Sequence, residues 1–327
     1  GWRISYAQLN ERVNRLANAL AGLGVKAGDR VATVQVNCNA LLEAYFAATR
    51  LDAGFVPLNF RARAEELAQM VGSAEPSVLM AGQRYLELVS SQKSKMPSVR
   101  SFVALEGKRT GWLPYEELLS SASEEERVPA ADDDDLTVIM FTAGTTGAPK
   151  GVMLSHQSFT SYLLANVSPP DPEVEERNIL SVPLYHIAGM QAVMAAVYGG
   201  RTLIIQRQFE PKEWLELVER ERANRAMMVP TMLKQLLDHP DFHKHDLSSL
   251  EVITYGAAPM PVEVIKRAIK ALPHARFINA FGQTETASTI TMLPPEDHIL
   301  DGTPEEMEKK LKRLGSIGKP LPDVEVR

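Results

Sequence analysis

The sequence predicts an α/β protein in which helices pack on mainly parallel sheets. Short runs rich in valine and isoleucine alternate with helical segments along most of the chain, and no internal repeat interrupts this alternation. The composition agrees, because 45% hydrophobic and 23% charged residues are ordinary for a globular protein. A length of 327 residues suggests about two domains at roughly 150 residues each.

Helices and strands alternate from the start of the chain. Ser5 followed by Gln8 predicts a capping box at the beginning of the first helix, which Gly22 and Gly24 end. The apolar face of that helix carries Leu9, Val13, Leu16 and Leu20. After it we expect strands at 30–36, 54–58 and 77–80 and helices at 39–49 and 64–71.

An acidic segment at residues 120–135 interrupts the alternation. It contains three consecutive glutamates from Glu124 and four consecutive aspartates from Asp132. We interpret it as a solvated linker rather than a metal site, because neighbouring carboxylates repel one another and point in different directions. We therefore expect a first α/β subdomain at residues 1–131 and a second at residues 132–327.

The alternation then resumes as a second α/β layer. We expect strands at 136–142, 179–182, 202–206, 226–229, 251–254 and 277–281. We expect helices at 156–166, 187–197, 211–223, 231–237, 261–272 and 304–312. Pro211 and Pro304 stand at first helical positions, where a missing N–H is tolerated.

Charge and composition exclude several classes of partner. With 35 basic and 41 acidic residues the net charge is −6, so the chain has no global attraction for nucleic acid or anionic lipid. We expect no nucleic-acid partner and no integral membrane segment. A single cysteine, Cys38, cannot form an internal disulfide, which fits a cytoplasmic location. Homodimer formation and peripheral association with a membrane stay open.

The segment TAGTTGAPKG at residues 142–151 is the most informative one. It follows a predicted apolar strand and precedes a predicted helix. Its glycines let backbone N–H groups approach an anion, its threonines add donors, and Lys150 adds a positive charge. We expect a phosphate-binding loop; the alternative is an ordinary surface loop. Two residues separate Gly147 from Lys150, so this is not a Walker A loop of a P-loop kinase or ATPase.

Four blocks, in this order, resemble the adenylate-forming superfamily of acyl-CoA synthetases, luciferases and peptide-synthetase adenylation domains. They are the loop at 142–151, PLYHIAG at 183–189, YGAAPM at 255–260 and NAFGQTE at 279–285. The resemblance covers essentially the whole chain and implies stacked, mainly parallel sheets of that family's large N-terminal region. The family's mobile C-terminal domain is absent from this sequence, and both chain ends look internal to a longer protein. We therefore expect little ATP–pyrophosphate exchange from the isolated chain.

The resemblance implies roles for the residues of the four blocks. The implied nucleotide-binding residues are Thr142, Ala143, Gly144, Thr145, Thr146, Gly147, Lys150, Gly256, Ala257, Ala258, Pro259, Asn279, Ala280, Phe281, Gly282 and Thr284. The implied catalytic residues are Lys150, His186, Thr284 and Glu285, and the implied Mg²⁺ ligands are Thr146 and Glu285. We expect His186 to gate or position the acid rather than act as a general base.

Physical chemistry supports several of these roles. Phe281 can stack on a flat base, Thr284 can donate to a phosphate oxygen, and the Glu285 carboxylate is a hard oxygen ligand suited to Mg²⁺. The chain departs from the family pattern at two positions. Ala143 stands where serine is usual, which removes a donor from the loop, and Phe281 stands where tyrosine is common.

The implied activity is activation of a carboxylic acid by ATP and Mg²⁺ to an acyl-adenylate, followed by transfer of the acyl group to coenzyme A. We expect a fatty acid, because the segments at 187–189 and 287–290 are small and apolar. An aryl acid is the alternative substrate. A noncatalytic nucleotide-binding module is the alternative outside enzymes.

Overall fold

The computed structural model describes residues 2–142, 147–322 and 324–326. The chain divides into two compact units, Gly1–Phe159 and Thr160–Arg327. Each unit contains a seven-stranded, mostly parallel sheet with helices. The α/β fold class predicted from the sequence is confirmed.

The first unit is built on a sheet with the strand order β5–β4–β3–β1–β2–β6–β7. Its strands are β1 (Arg30–Val34), β2 (Gly54–Pro57), β3 (Val78–Ala81), β4 (Ser101–Ala104), β5 (Leu113–Pro114), β6 (Leu136–Thr142) and β7 (Lys150–Ser155). Its helices are α1 (Tyr6–Gly22), α2 (Asn39–Thr49), α3 (Ala64–Ala74), α4 (Leu86–Gln92) and α5 (Tyr115–Ser121). Neighbouring strands are parallel except β6 and β7.

Helices α1, α2 and α5 are tied together by one buried carboxylate. The Glu43 side chain on α2 is fully buried and forms an ion pair with Arg12 of α1 at 2.8 Å. It also accepts hydrogen bonds from the Asn39 amide and from the Tyr115 hydroxyl of α5. Breaking a buried ion pair from one side costs about 3–5 kcal/mol. The Glu43 carboxylate therefore fixes how the three helices pack.

The loop at 142–151 joins two antiparallel strands. Thr142 at the end of β6 lies opposite Lys150 at the start of β7. The next helix, α6 (His156–Asn166), begins only after β7. The helix starts at the predicted residue, but the strand β7 between the loop and this helix was not predicted from the sequence. The side chains of β7 alternate between the two faces of the sheet, as expected for a strand, because Leu154 is buried whereas Met153 is 70% exposed.

The second unit has the strand order β14–β13–β12–β11–β10–β8–β9. Its strands are β8 (Arg177–Leu180), β9 (Thr202–Ile205), β10 (Arg225–Met228), β11 (Val252–Gly256), β12 (Arg276–Gly282), β13 (Thr289–Leu293) and β14 (Lys319–Pro320). Its helices after α6 are α7 (Ile187–Tyr198), α8 (Pro211–Glu221), α9 (Pro230–Leu237), α10 (Val262–Ala271) and α11 (Pro304–Leu314). Strands β12–β13 and β13–β14 are antiparallel, and the other pairs are parallel.

The units divide inside α6, later in the chain than the boundary expected at residue 131. Strands β6 and β7 pair into the first sheet, so the loop at 142–151 belongs to the first unit. It does not lie in the predicted second subdomain. The acidic run that suggested a boundary leads directly into β6 instead.

One face of the second sheet packs into a hydrophobic core. Ile253 and Tyr255 of β11 and Phe277 of β12 are almost fully buried there, together with Trp214 and Leu215 of α8. Helix α8 starts where predicted, with Pro211 in its first turn. The Glu210 side chain accepts hydrogen bonds from the next backbone N–H groups and caps the helix. Among the described residues, no helix is long and apolar enough to cross a membrane.

Candidate functional site

The second sheet presents a different set of side chains on the face opposite this core. Side chains alternate along a strand, and register partners in neighbouring strands share a face. Arg225 of β10 is the register partner of Asn178 on β8 and of Val252 on β11. Thr254 of β11 continues this face and is the partner of Ile278 on β12. These side chains line the same cavity.

The cavity lies within the second unit and has a volume of about 250 Å³. Helix α6 contributes Tyr162 to its wall, and α7 contributes Ile187 and Ala188. The segment that leads into β13 contributes Ser288 and Thr289. Both segments that the sequence singled out as small and apolar, 187–189 and 287–290, thus border one cavity.

His186 stands next to this wall. It is the residue before the first turn of α7, is exposed, and its ring centroid lies 4.2 Å from that of Tyr185. It directly precedes the cavity-lining Ile187. Its position suits an orienting role, in agreement with the expectation from the sequence, which stays a prediction.

One end of the cavity is formed by the blocks predicted to bind a nucleotide. Ala257, Ala280 and Gly282 all line it. A Cβ atom on Gly256 would lie 2.0 Å from the Ala280 carbonyl oxygen, so only glycine fits there. Ala257, with φ of 63°, turns the chain away after β11, and Ala258 and Pro259 that follow are exposed. The small residues of this block therefore allow the close approach of β11 to β12.

Asn279 and Phe281 project from the opposite face of β12. The Asn279 amide donates a 3.1 Å hydrogen bond to the Ser316 carbonyl oxygen. Phe281 is half-buried and lies one residue before the end of the strand. Neither side chain lines the cavity with Ala280. The block at 279–285 thus presents one set of side chains to the cavity and another to the far side of the sheet edge.

Thr284 and Glu285 occupy a one-turn 3₁₀ helix directly after β12. The hydroxyl of Thr286 holds this turn, because it accepts from the Gln283 N–H and donates to the Gln283 carbonyl oxygen. Glu285 is exposed and forms no ion pair with any described residue. No cationic side chain in the described part of the chain therefore neutralises this carboxylate.

The predicted phosphate loop lies in the first unit. Lys150 is exposed at the start of β7 and has no ion-pair partner in the described parts of the chain. Thr142 is its register partner at the end of β6. Gly147 has φ of 92°, which favours glycine. Ala143, Gly144, Thr145 and Thr146, which the sequence also assigns to this loop, lie outside the described residues.

The other end of the cavity is polar, and we call Asn178, Arg201 and Arg225 its polar end. Glu176 forms ion pairs with both arginines, each at 2.5 Å. These three residues belong to none of the motifs in the sequence. The available signal was Arg225 alternating with Met227 in a buried strand, which places a charge on an otherwise apolar face.

Burial dominates the protonation behaviour at this polar end. It lowers the pKa of Arg225, and the neighbouring charge of Arg201 lowers it further, while Glu176 opposes the shift. Burial also raises the pKa of Tyr162, although a hydrogen bond to Thr289 and both arginines act in the opposite direction. Tyr162 is therefore a neutral hydrogen-bonding group near neutral pH.

The side chains near the end of β12 suit a Mg²⁺ ion that binds together with a nucleotide better than a metal ion held by protein side chains alone. Within the described residues there is no cluster of three or more His, Cys, Asp or Glu side chains placed to hold a metal. Mg²⁺ in nucleotide sites usually takes one or two carboxylates together with phosphate oxygens and water. The exposed Glu285 carboxylate matches that requirement.

Known proteins match this chain over nearly its whole length. The family described as AMP-binding enzyme matches the chain over residues 1–327. Feruloyl-CoA synthase of an Amycolatopsis species is 33% identical over 98% of this chain and 63% of that protein. The long-chain-fatty-acid–CoA ligase FadD13 of Mycobacterium tuberculosis is 30% identical over 99% of this chain and 61% of that protein.

A similar fold has been solved by crystallography. The inhibitor-bound N-terminal domain of FACL13 from Mycobacterium tuberculosis superposes with a TM-score of 0.85 at 28% identity. The match covers 98% of this chain and 76% of that one. The chain spans less than two thirds of the length of the two ligases compared above.

Proposed function

Because the chain belongs to the AMP-binding enzyme family, we propose that it carries the nucleotide-binding and acid-binding parts of an acid–CoA ligase. The observation that supports this most is the shared cavity. Its walls come from the predicted acid-binding segments around Ile187 and Ser288, and one end comes from Ala257, Ala280 and Gly282 of the predicted nucleotide blocks. An acid in this cavity would have its carboxylate beside a nucleotide.

The proposed reaction has two steps. An oxygen of the acid carboxylate attacks the α-phosphorus of ATP, a new P–O bond forms, and pyrophosphate leaves. The thiolate of coenzyme A then attacks the acyl carbon, and AMP leaves with the electrons of the broken C–O bond. In the first step an anion approaches a polyanion, so the protein must supply positive charge, hydrogen-bond donors and alignment.

This chain offers residues for each of these tasks. Lys150 and the loop N–H groups would bind phosphate oxygens, with Thr142 and the threonines at 145 and 146 as further donors. Phe281 would stack on the adenine, beside Gly256–Pro259, and Thr284 would hydrogen bond to the α-phosphate. His186, at the start of α7, would orient the carboxylate. Mg²⁺, when bound, would supply charge neutralisation at the phosphates, and Glu285 would be one of its ligands.

The cavity supports the aryl-acid alternative more strongly than the fatty acid expected from the sequence. Its volume of about 250 Å³ lies below the roughly 300–1,000 Å³ of typical ligand pockets. A long acyl chain would need more room, whereas a single ring with a short side chain is compact. Relatives of both kinds, a feruloyl-CoA synthase and a long-chain-fatty-acid ligase, match the chain.

Acyl-adenylate mimics test the proposal on this chain directly. Isothermal titration would compare an aryl sulfamoyl adenosine with sulfamoyl adenosine, which lacks the acyl group. Since the mimic fills both proposed sites, we expect it to bind at least about tenfold more tightly, which corresponds to about 1.4 kcal/mol. Equal affinities would identify a noncatalytic nucleotide-binding module instead. If a matched fatty acyl mimic binds more tightly than the aryl mimic, a fatty acid is the better candidate substrate.

A further inference from the structure

The cavity extends along the full length of β11. Val252 is the first residue of β11 and Ala257 follows its last residue, and both line the cavity. Five residues at 3.3 Å each correspond to roughly 16 Å. The nucleotide-side end lies where the strands end, and the polar end lies where they begin. A bound acid with its carboxylate beside the nucleotide would therefore point its other end at Asn178 and Arg225.

Asn178 is the first observation that points to a ligand group there. It is 7% exposed, lines the cavity, and shares its sheet face with Arg225 by register. Its side-chain amide makes no hydrogen bond to any residue that the structure describes. Buried polar groups are almost always hydrogen-bonded, and leaving one without a partner is costly. An amide directed into a cavity is therefore expected to bind what enters it.

The charges at this end are the second observation. Arg201 and Arg225 both form ion pairs with Glu176, so two guanidinium groups lie at this end of the cavity. Arg225 donates to Glu176 through Nη1, and its Nε and Nη2 groups have no hydrogen-bond partner among the described residues. The Arg225 side chain is 27% exposed. An acceptor oxygen in the cavity would satisfy donors of both Asn178 and Arg225.

We propose that the polar end selects acids that carry a hydrogen-bond-accepting oxygen at the end remote from the reacting carboxylate. This inference rests on the proposed function, because it takes the cavity to be the acid site. A phenolic hydroxyl and a second carboxylate share the required chemistry. An unsubstituted ring or a methyl-terminated chain would leave the Asn178 amide without a partner and would place carbon beside two guanidinium groups.

Two matched pairs of free acids test the proposal by isothermal titration, without nucleotide. One pair is 4-hydroxyphenylpropenoic acid and phenylpropenoic acid, and the other is octanedioic acid and octanoic acid. We expect the polar-ended member to bind at least tenfold more tightly in one or both pairs. Preference in the first pair alone identifies a neutral acceptor, and preference in the second alone identifies an anionic one. Equal affinities in both pairs, or no binding of any acid, would overturn the proposal.

Substitutions assign the preference to named residues. We define the affinity ratio as the affinity for the polar-ended acid of a pair divided by the affinity for the other acid. In Asn178→Leu this ratio should fall to near one. The variant is expected to fold, because leucine is similar in size and the Asn178 amide has no described partner to lose. The affinity for the unsubstituted acid should stay within twofold. Arg225→Gln, which can still hydrogen bond to Glu176, should reduce the ratio partly. The control is Arg267→Gln, which removes an ion pair with Asp238 outside the cavity and should leave the ratio unchanged.

The readouts separate this inference from the proposed function. If the acyl-adenylate mimic binds as proposed but the acid ratio is near one in the wild-type chain, only the polar end has been misassigned. If the ratio is high and Asn178→Leu abolishes it while the mimic gains nothing over sulfamoyl adenosine, the cavity binds polar acids in a protein that is not a ligase. A ratio that persists in Asn178→Leu and Arg225→Gln contradicts the inference in either case.

Discussion

Gly256 and Ala280 are register partners on adjacent parallel strands, and they approach so closely that any side chain on Gly256 would collide with the Ala280 carbonyl. The contact lies at the nucleotide-side end of the cavity, where the segments 255–260 and 279–285 begin to form the cavity wall. The position of Ala280 in the cavity wall therefore depends on the absence of a side chain at residue 256.

Gly256→Ala is predicted to destabilise the protein. The new methyl group would need about 1 Å or more of strand movement to reach ordinary contact, and overpacking of this kind costs about 1–3 kcal/mol. Urea denaturation should show a lower midpoint, and binding of the acyl-adenylate mimic should weaken. The matched control is Gly315→Ala, whose added atom would meet its nearest neighbour at 3.5 Å. Equal stability of the two variants would contradict the prediction.

Acidification is predicted to destabilise the second unit through His298. The ring is almost fully buried, with Nδ1 2.9 Å from the Pro294 carbonyl oxygen and Nε2 2.9 Å from the Tyr255 hydroxyl. Because a carbonyl only accepts, Nδ1 carries the proton and Nε2 accepts from Tyr255. Burial lowers the pKa of His298. Protonation at Nε2 would force the Tyr255 hydroxyl to accept this hydrogen bond instead of donating it, and it would leave a charge buried.

The sign of the pH effect follows from that shift. A folded-state pKa below the unfolded value of about 6.5 means that the unfolded chain binds more protons. This contribution is fully present above pH 6.5 and is lost as the pH falls from there toward the folded-state pKa. Urea midpoints measured from pH 7.5 to 5 should fall for the wild type and fall less for His298→Phe. The same slope in both proteins would contradict the assignment.

Lys150→Ala and Glu285→Gln are predicted to weaken Mg-ATP binding. The first variant removes the charge proposed to bind phosphate and the second removes the charge proposed to bind Mg²⁺, and hydrogen bonds to charged groups contribute about 1.5–3 kcal/mol. Isothermal titration should show about a tenfold to hundredfold loss for each variant. The controls Lys26→Ala and Glu251→Gln alter exposed residues elsewhere in the same units and should bind like the wild type. Unchanged affinity in both site variants would remove the support for these roles.

Ala192→Phe is predicted to block acid binding without affecting the nucleotide. Ala192 lies on α7 and lines the cavity. A phenyl ring would take up much of its volume of about 250 Å³. Acid affinity should fall at least about tenfold, or about 1.4 kcal/mol, while Mg-ATP affinity should stay within about twofold. Met194→Phe, on the same helix but outside the cavity wall, is the control. A normal acid affinity in Ala192→Phe would place the acid elsewhere.

The sequence predicted well those elements whose signals are local. Helices α2 and α6 begin and end at the predicted residues, and α1 starts at the predicted capping box of Ser5 and Gln8. The strand β7 was missed, because its buried positions are few and its pairing with β6 depends on contacts across a loop. Because β6 and β7 pair in the first sheet, the phosphate loop belongs to the first unit and not to the second subdomain predicted from the sequence.

The candidate site was predictable at its apolar and nucleotide-side walls but not at its polar end. The blocks around Ile187, Ala257 and Gly282 stand out as short local patterns, and all three line the cavity. Asn178 and Arg225 stand alone in their strands. They meet only because the register of β8 and β10 places them side by side on one face. Strand register is a long-range property that no local motif records.

A crystal structure of the chain with a bound aryl sulfamoyl adenosine would test the central claim most directly. We expect the aryl group between Ile187 and Ser288, the sulfamoyl group beside Thr284, and the adenine against Phe281 and Ala257. Ligand density that leaves the cavity empty, or an adenine bound away from these residues, would contradict it.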